Sequence, residues 1–129
     1  VLRKLDHMVF AKGWTKELVG RTESGLMPDR VYVKCADRLI LDVTCPFELN
    51  LASLDRAYDE KVGKYSALVG TLGTEVVPVV LGSLGTVHPR TGRRLVGMGL
   101  SLGEIRDLSA LTVDGSIRIF RRFFAGVSG

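Results

Sequence analysis

Residues 26 to 44 read LMPDRVYVKCADRLILDVT, and their alternation of apolar and polar positions restricts the fold more than any other stretch. A period of two is that of a strand with one face turned to a core. Two runs, 30 to 35 and 38 to 44, joined through Ala36 and Asp37, predict an antiparallel hairpin. Leu39, Leu41 and Val43 fall on one face, and Ile40, Asp42 and Thr44 on the other. Pro28 suits the start of the first strand because it has no N–H to give to a ladder. The hairpin also carries two carboxylates, Asp29 and Asp42, among residues that are otherwise dry. A carboxylate taken out of water needs a partner, or it takes up a proton.

The rest of the chain supplies cover for such a hairpin. Leu2, Leu5, Met8 and Val9 form one helical stripe, with Arg3, Lys4, Asp6 and His7 off it, predicting a helix over 1 to 12 that Gly13 ends in a left-handed turn. Residues 14 to 19 read as a short strand and 20 to 28 as a loop. Beyond Pro46 the apolar spacing changes to three and four, predicting a helix over 53 to 70 with Ser53 as N-cap. EVVPVVLGSLG, 75 to 85, reads as a buried strand with Pro78 at a bulge or an edge. A basic, glycine-containing turn follows, then a helix over 102 to 111 opened by Ser101 with Glu104 three residues on. The amphipathic tail from 115 to 125 fits a strand or a helix. This order predicts an α/β sandwich, a small mixed central sheet flanked by helices, as a single domain over 1–129. At 129 residues and 46% apolar content, a core can form without staples.

Eighteen Lys plus Arg against 14 Asp plus Glu leave a net charge of +4, which permits a polyanionic partner without requiring one. The basic residues gather in HPRTGRR (88 to 94) and RIFRRFF (118 to 124), although such runs are more commonly solvated faces. Cys35 and Cys45, near the ends of the two strands, make a cross-strand disulfide thinkable, but a reduced intracellular pair is the expectation. With only His7 and His88 as further soft ligands, four-ligand zinc coordination has no support, and both histidines read as surface or helix-face residues. No run approaches the roughly 18 to 20 apolar residues that span a bilayer, so no membrane partner is expected. Val1 is not a natural start residue, and the expectation is a domain excised from a longer chain.

Asp29 and Asp42 have twelve residues between them, and two paired strands can bring both side chains to one edge. Close carboxylates repel unless a positive charge lies between them, and Mg²⁺ takes one or two carboxylates while keeping waters for a phosphate. Such a cation acidifies a bound water and screens the phosphate, which phosphodiester hydrolysis requires. Lys61 and Lys64 lie on or beside the apolar stripe of the following helix, where an ammonium either meets an anion or snorkels to solvent.

These residues, in the order PD…LDVTCPFE…AYDEKVGKYSAL…VVPVVLGSLG, resemble the restriction-like endonuclease domain of the reverse-transcriptase polyproteins of site-specific non-LTR retrotransposons. The resemblance covers residues 2 to about 100, including Gly13 and Trp14. It implies a restriction-endonuclease-like sandwich of the PD-(D/E)xK type, with Asp29 and Asp42 as catalytic, metal-binding acids. Lysine follows the second acid by two residues in that type, whereas here Thr44 stands there, and Lys61 is implied as the migrated catalytic lysine with Lys64 and Tyr65 beside it. Glu48 matches a further acid, and Asp6, Glu17 and Glu48 compete for a third acidic role. The family has a basic residue before Pro-Asp; Met27 stands there, and Arg30 is the substitute.

The implied activity is a Mg²⁺- or Mn²⁺-dependent nick in target DNA that exposes a 3′-hydroxyl to prime reverse transcription, in the nucleus, alongside other domains of a parent chain and its RNA. Arg30, Lys64, Arg90, Arg93, Arg94, Arg121 and Arg122 are the expected DNA-backbone contacts. Two alternatives stand beside it: a junction-resolving or repair nuclease with the same core, and a catalytically silent nucleic-acid-binding module, for which Thr44 is the best sequence support. The target site and the oligomeric state are not encoded in any motif.

Overall fold

The computed structural model describes residues 1–18, 27–47, 50–66 and 74–114. Within them the chain is mixed α/β, with a four-stranded mixed sheet and four helices. Helix α1 (Leu2–Phe10) leads into β1 (Thr15–Lys16), β2 (Arg30–Lys34) and β3 (Asp37–Thr44). Helix α2 (Leu51–Lys64) then crosses to β4 (Thr74–Val80), followed by α3 (Pro89–Gly97) and α4, described over 102–114. The sheet order is β1-β2-β3-β4, antiparallel except for the β3–β4 pair, which is parallel because α2 carries the chain back over the sheet. No helix among the described residues is long and apolar enough to cross a membrane.

The hairpin forms as its alternation dictates. Arg30 pairs with Leu41 and Lys34 with Asp37, leaving Cys35 and Ala36 in the turn, where Cys35 adopts a φ of 54° that favours glycine. Leu39 and Leu41 join Leu5, Met8, Val9, Leu95, Ile105 and Leu108 in the larger core, with Val43 packed against it. Ile40 faces the other way, toward Val31 and Tyr65. Thus α1, α3 and α4 cover one face of the sheet, and α2 covers the other through Leu54, Tyr58 and Tyr65. Burying each such leucine or tyrosine contributes about 1.5 to 3 kcal/mol before the entropy of ordering it is charged.

Pro78 sits on an edge strand, and the structure explains why it is tolerated there. Its carbonyl accepts from the buried Thr91 hydroxyl at 2.8 Å, and the same hydroxyl accepts from the Val80 N–H at 3.1 Å. A residue's N and O point the same way from a strand, so the missing Pro78 N–H faces this outer edge and no ladder bond is lost.

Three expectations need correction, and the free cysteines agree with the expected reduced pair. The turn expected at 88 to 94 is largely helix α3, with Pro89 at its first turn and His88 as N-cap. The N-cap of α2 is Asn50, and Ser53 is the third helical residue of a capping box in which Ser53 N–H donates to Asn50 Oδ1 at 3.0 Å. Asp6, expected off the buried stripe, is buried. Cys35 and Cys45 are free and exposed and lie beyond opposite ends of β3, about 26 Å of strand at about 3.3 Å per residue, so a bridge between them is excluded. Gly13 turns the chain after α1 at φ 93°, and Ser101 with Glu104 forms the expected capping box at 3.0 and 3.1 Å. The tail expected at 115 to 125 and the last turn expected at 67 to 70 lie outside the described residues.

Candidate active site

The hairpin register builds the site. Arg30 faces Leu41 across β2 and β3, so one further step along the same antiparallel register sets Asp29 opposite Asp42, and side chains of opposed residues share a face. The Asp29 carboxylate prolongs the ladder in place of a backbone group, its Oδ2 accepting from the Val43 N–H at 2.8 Å. Asp42 lies on the face shared with Ile40, beneath α2. From α2, Lys61 Nζ donates to Asp42 Oδ2 at 2.7 Å, and Lys64 Nζ stands 3.7 Å from the same oxygen, 5.1 Å above the Tyr65 ring. Spacings of three and four along the helix place Lys61, Lys64 and Tyr65 over the acids together.

The electrostatics divide the two carboxyls. Burial and the neighbouring Asp42 charge raise the Asp29 pKa, against the pull of the Val43 N–H. Burial is the largest influence on Asp42 too, but the hydrogen bonds with Lys61 and Asp29 and the Lys61 and Lys64 charges together outweigh it and hold that carboxyl below the usual range. Asp42 has a side-chain exposure of 6%, so the ammonium offsets a desolvation that would otherwise be costly. Tyr65 is fully buried, and among the described residues its hydroxyl has no hydrogen-bond partner; burial, then the Asp42 charge, push its pKa up to about 12.

A divalent cation fits these residues. Two adjacent hard-oxygen donors that repel one another, with a buried phenol left unsatisfied beside them, match the one or two carboxylates Mg²⁺ takes while keeping its waters. Among the described residues no cluster of three or more His, Cys, Asp or Glu forms, so a full protein cage of the zinc type is not what this donor set offers.

The structure therefore brings Asp29, Asp42, Lys61, Lys64 and Tyr65 together. Arg30 lies apart from them: its side chain belongs to the opposite face, where Nε donates to Asp6 at 2.9 and 3.2 Å. Glu17 is paired with Arg38 at 2.8 Å. Arg94 forms an ion pair with Glu75, which shares the face of Val77 and Val79, away from Asp42. Arg93 is exposed, and Arg90 reaches Asp59 at 3.7 Å and the Tyr58 ring at 5.4 Å. Glu48, Arg121 and Arg122 lie outside the described residues.

Two groupings escape the sequence reading. One is the Asp6–Arg30–Tyr32 network, whose signal was a carboxylate one turn from Leu2 and from Val9, at the border of the apolar stripe. The other is His88, expected at a surface or helix face but 2% exposed. Its Nδ1 accepts from the Arg90 N–H at 3.1 Å, which leaves the ring proton on Nε2, 2.6 Å from Asp55 Oδ1. The ring stacks on Tyr58 at 4.7 Å. Pro89 immediately after it was the available sign of a cap.

Scanned against models of known families and searched against curated proteins, the chain matches none.

Proposed function

We propose that this chain is a divalent-metal-dependent DNA endonuclease domain with a restriction-endonuclease-like sandwich, nicking target DNA to give a 3′-hydroxyl primer for reverse transcription. The observation that carries the reading is the convergence of Asp29, Asp42 and Lys61 under one helix, with Lys61 Nζ 2.7 Å from Asp42. Two acids and an amine that converge in this way supply the groups that hydrolysis of a phosphodiester would use.

In this reading Asp29 and Asp42 would hold Mg²⁺ or Mn²⁺, which when bound supplies an acidified water and screens phosphate charge. Lys61, held by Asp42, keeps a fixed positive charge beside the scissile phosphate and stabilises negative charge as it develops there. Lys64 is half-exposed and reaches outward from the same helix face to a neighbouring backbone phosphate. The Tyr65 hydroxyl, buried beside Asp42, would be available to a ligand oxygen. The partners that follow are duplex DNA and, through the resemblance, the remaining domains and RNA of a parent reverse-transcriptase chain.

The test is Mg²⁺-dependent nicking of supercoiled plasmid by the wild type and by Asp42→Ala. Loss of nicking with folding and DNA binding retained supports the assignment, and cleavage by the folded variant defeats it. One feature favours a second reading: Lys61 neutralises Asp42 without any cation, as a catalytically silent nucleic-acid-binding module would also require. Calorimetric Mn²⁺ titration separates the two, since a working site binds the ion more tightly than Asp29→Asn does and a silent module shows no difference.

A further inference from the structure

Two neighbours at the start of β2 engage different partners: Arg30 reaches the Asp6 carboxylate of α1, and the carboxylate of Asp29, just before the strand, accepts from the Val43 N–H of β3. On the α1 side, Asp6 is buried and surrounded by donors. Arg30 Nε stands 2.9 Å from its Oδ1 and 3.2 Å from its Oδ2, the Tyr32 hydroxyl donates to Oδ1 at 2.5 Å, and Lys16 Nζ lies 3.6 Å from Oδ2. The Arg30 guanidinium does one thing more: its Nη1 donates to the Asp29 backbone carbonyl at 2.9 Å. Asp29 is thereby held at both ends, its carbonyl by Arg30 and its carboxylate by the Val43 N–H at 2.8 Å. Asp42 is the neighbouring charge on that carboxyl. The planar guanidinium makes the link rigid, because one fork serves Asp6 and the carbonyl at once.

We infer that Asp6 is a positioning residue for Asp29, acting through Arg30, and not a third acidic ligand in the pocket. Its carboxylate is already taken up by two cations and a phenol on the far side of the sheet, so nothing in it is left for an ion beneath α2. Groups one step behind a metal-ligating carboxylate set its orientation and commonly change metal affinity by 10- to 100-fold. The inference rests on the nuclease reading for the use of Asp29, but the mechanical link is independent of it.

The experiment uses the full chain, labelled with ¹⁵N, as wild type, Asp6→Asn, Arg30→Gln and the double variant. The Val43 amide reports the hydrogen bond to Asp29. In both single variants its exchange protection is expected to fall by about tenfold as the local bond opens more readily, while Val77 and Val79 keep theirs. Mn²⁺ affinity, read by calorimetry, falls by about tenfold in each single variant and no further in the double variant, because both act along one chain of contacts. Arg30→Gln retains the Tyr32 and Lys16 bonds to Asp6 and carries the test even if Asp6→Asn does not fold. An unchanged Val43 amide in folded Arg30→Gln overturns the link. Weakened Mn²⁺ binding in Asp6→Asn with normal binding in Arg30→Gln also overturns it and makes Asp6 a ligand. If the Val43 amide responds but the wild type binds no Mn²⁺, the positioning link stands and the nuclease reading fails.

Discussion

Lys61 Nζ stands 2.7 Å from Asp42 Oδ2, although nineteen residues and a change of element separate the two. The contact gives α2 an electrostatic anchor on β3 as well as an apolar one. Removing the amine leaves a buried carboxylate with only Lys64, at 3.7 Å and half in solvent, for compensation. Lys61→Met is expected to lose nicking and to cost about 3 kcal/mol of stability, the lower end of what breaking a buried pair costs. Urea denaturation followed by circular dichroism checks the second part; an unchanged midpoint would mean the pair is solvated.

Asp29 titrates high because it is buried and because Asp42 is charged beside it. Replacing Asp42 by Asn removes the second cause and leaves the first. The Asp29 midpoint, followed through its side-chain carboxyl carbon by NMR, is expected to fall in Asp42→Asn while staying above that of an exposed aspartate. No movement would place the two carboxyls too far apart to share an ion.

The Asp6 carboxyl is held below the usual range: burial opposes this, but the Arg30 and Tyr32 hydrogen bonds and the Arg30 and Lys16 charges prevail. A depressed folded-state pKa contributes stability that is present above the unfolded value of 3.8 and lost as pH falls through the folded one. Asp6→Asn is therefore expected to be less stable near neutrality and to show a shallower loss between pH 4 and the acid limit. Thermal midpoints across that range read the slope directly.

Among the described residues the buried Tyr65 hydroxyl has no partner, which costs about 1 to 3 kcal/mol relative to a satisfied group. Tyr65→Phe removes that burden, so its thermal midpoint is expected to rise by a few degrees, about 1 kcal/mol for a domain this size. Nicking should fall at the same time if the phenol serves a ligand, a trade of stability for function.

His88 caps the start of α3, stacks on Tyr58 and binds Asp55, tying α3 to α2 at one point. His88→Ala is expected to cost about 3 kcal/mol, combining a lost cap and a lost ring stack. His88→Asn restores the cap and should recover about 1 kcal/mol of that in a denaturant series.

The hairpin and its two faces are legible in the sequence because a period of two leaves no other way to bury Leu39 and Leu41 without also aiming Asp42 at the far side. The helix over Lys61 and Lys64 is legible for the same reason, its spacing surviving two lysines on the stripe. Helix α3 is hidden: it buries only Thr91 and Leu95, Gly92 lies among Arg90, Arg93 and Arg94, and Gly97 ends it, so its pattern is that of a turn. Arg30 looks like a free cation in the sequence because its acid, Asp6, lies 24 residues upstream on another element. Pairings of that kind depend on which faces meet, and local periodicity carries no record of them.

The Thr91 hydroxyl, wedged against Pro78 and Val80, has one more effect. It occupies the donor and acceptor that a visiting strand would need, much as a finished hem stops a cloth from being sewn onward. At the Pro78–Val80 end of that border the strand therefore offers a visiting backbone fewer open partners, and a second protein meets side chains there first.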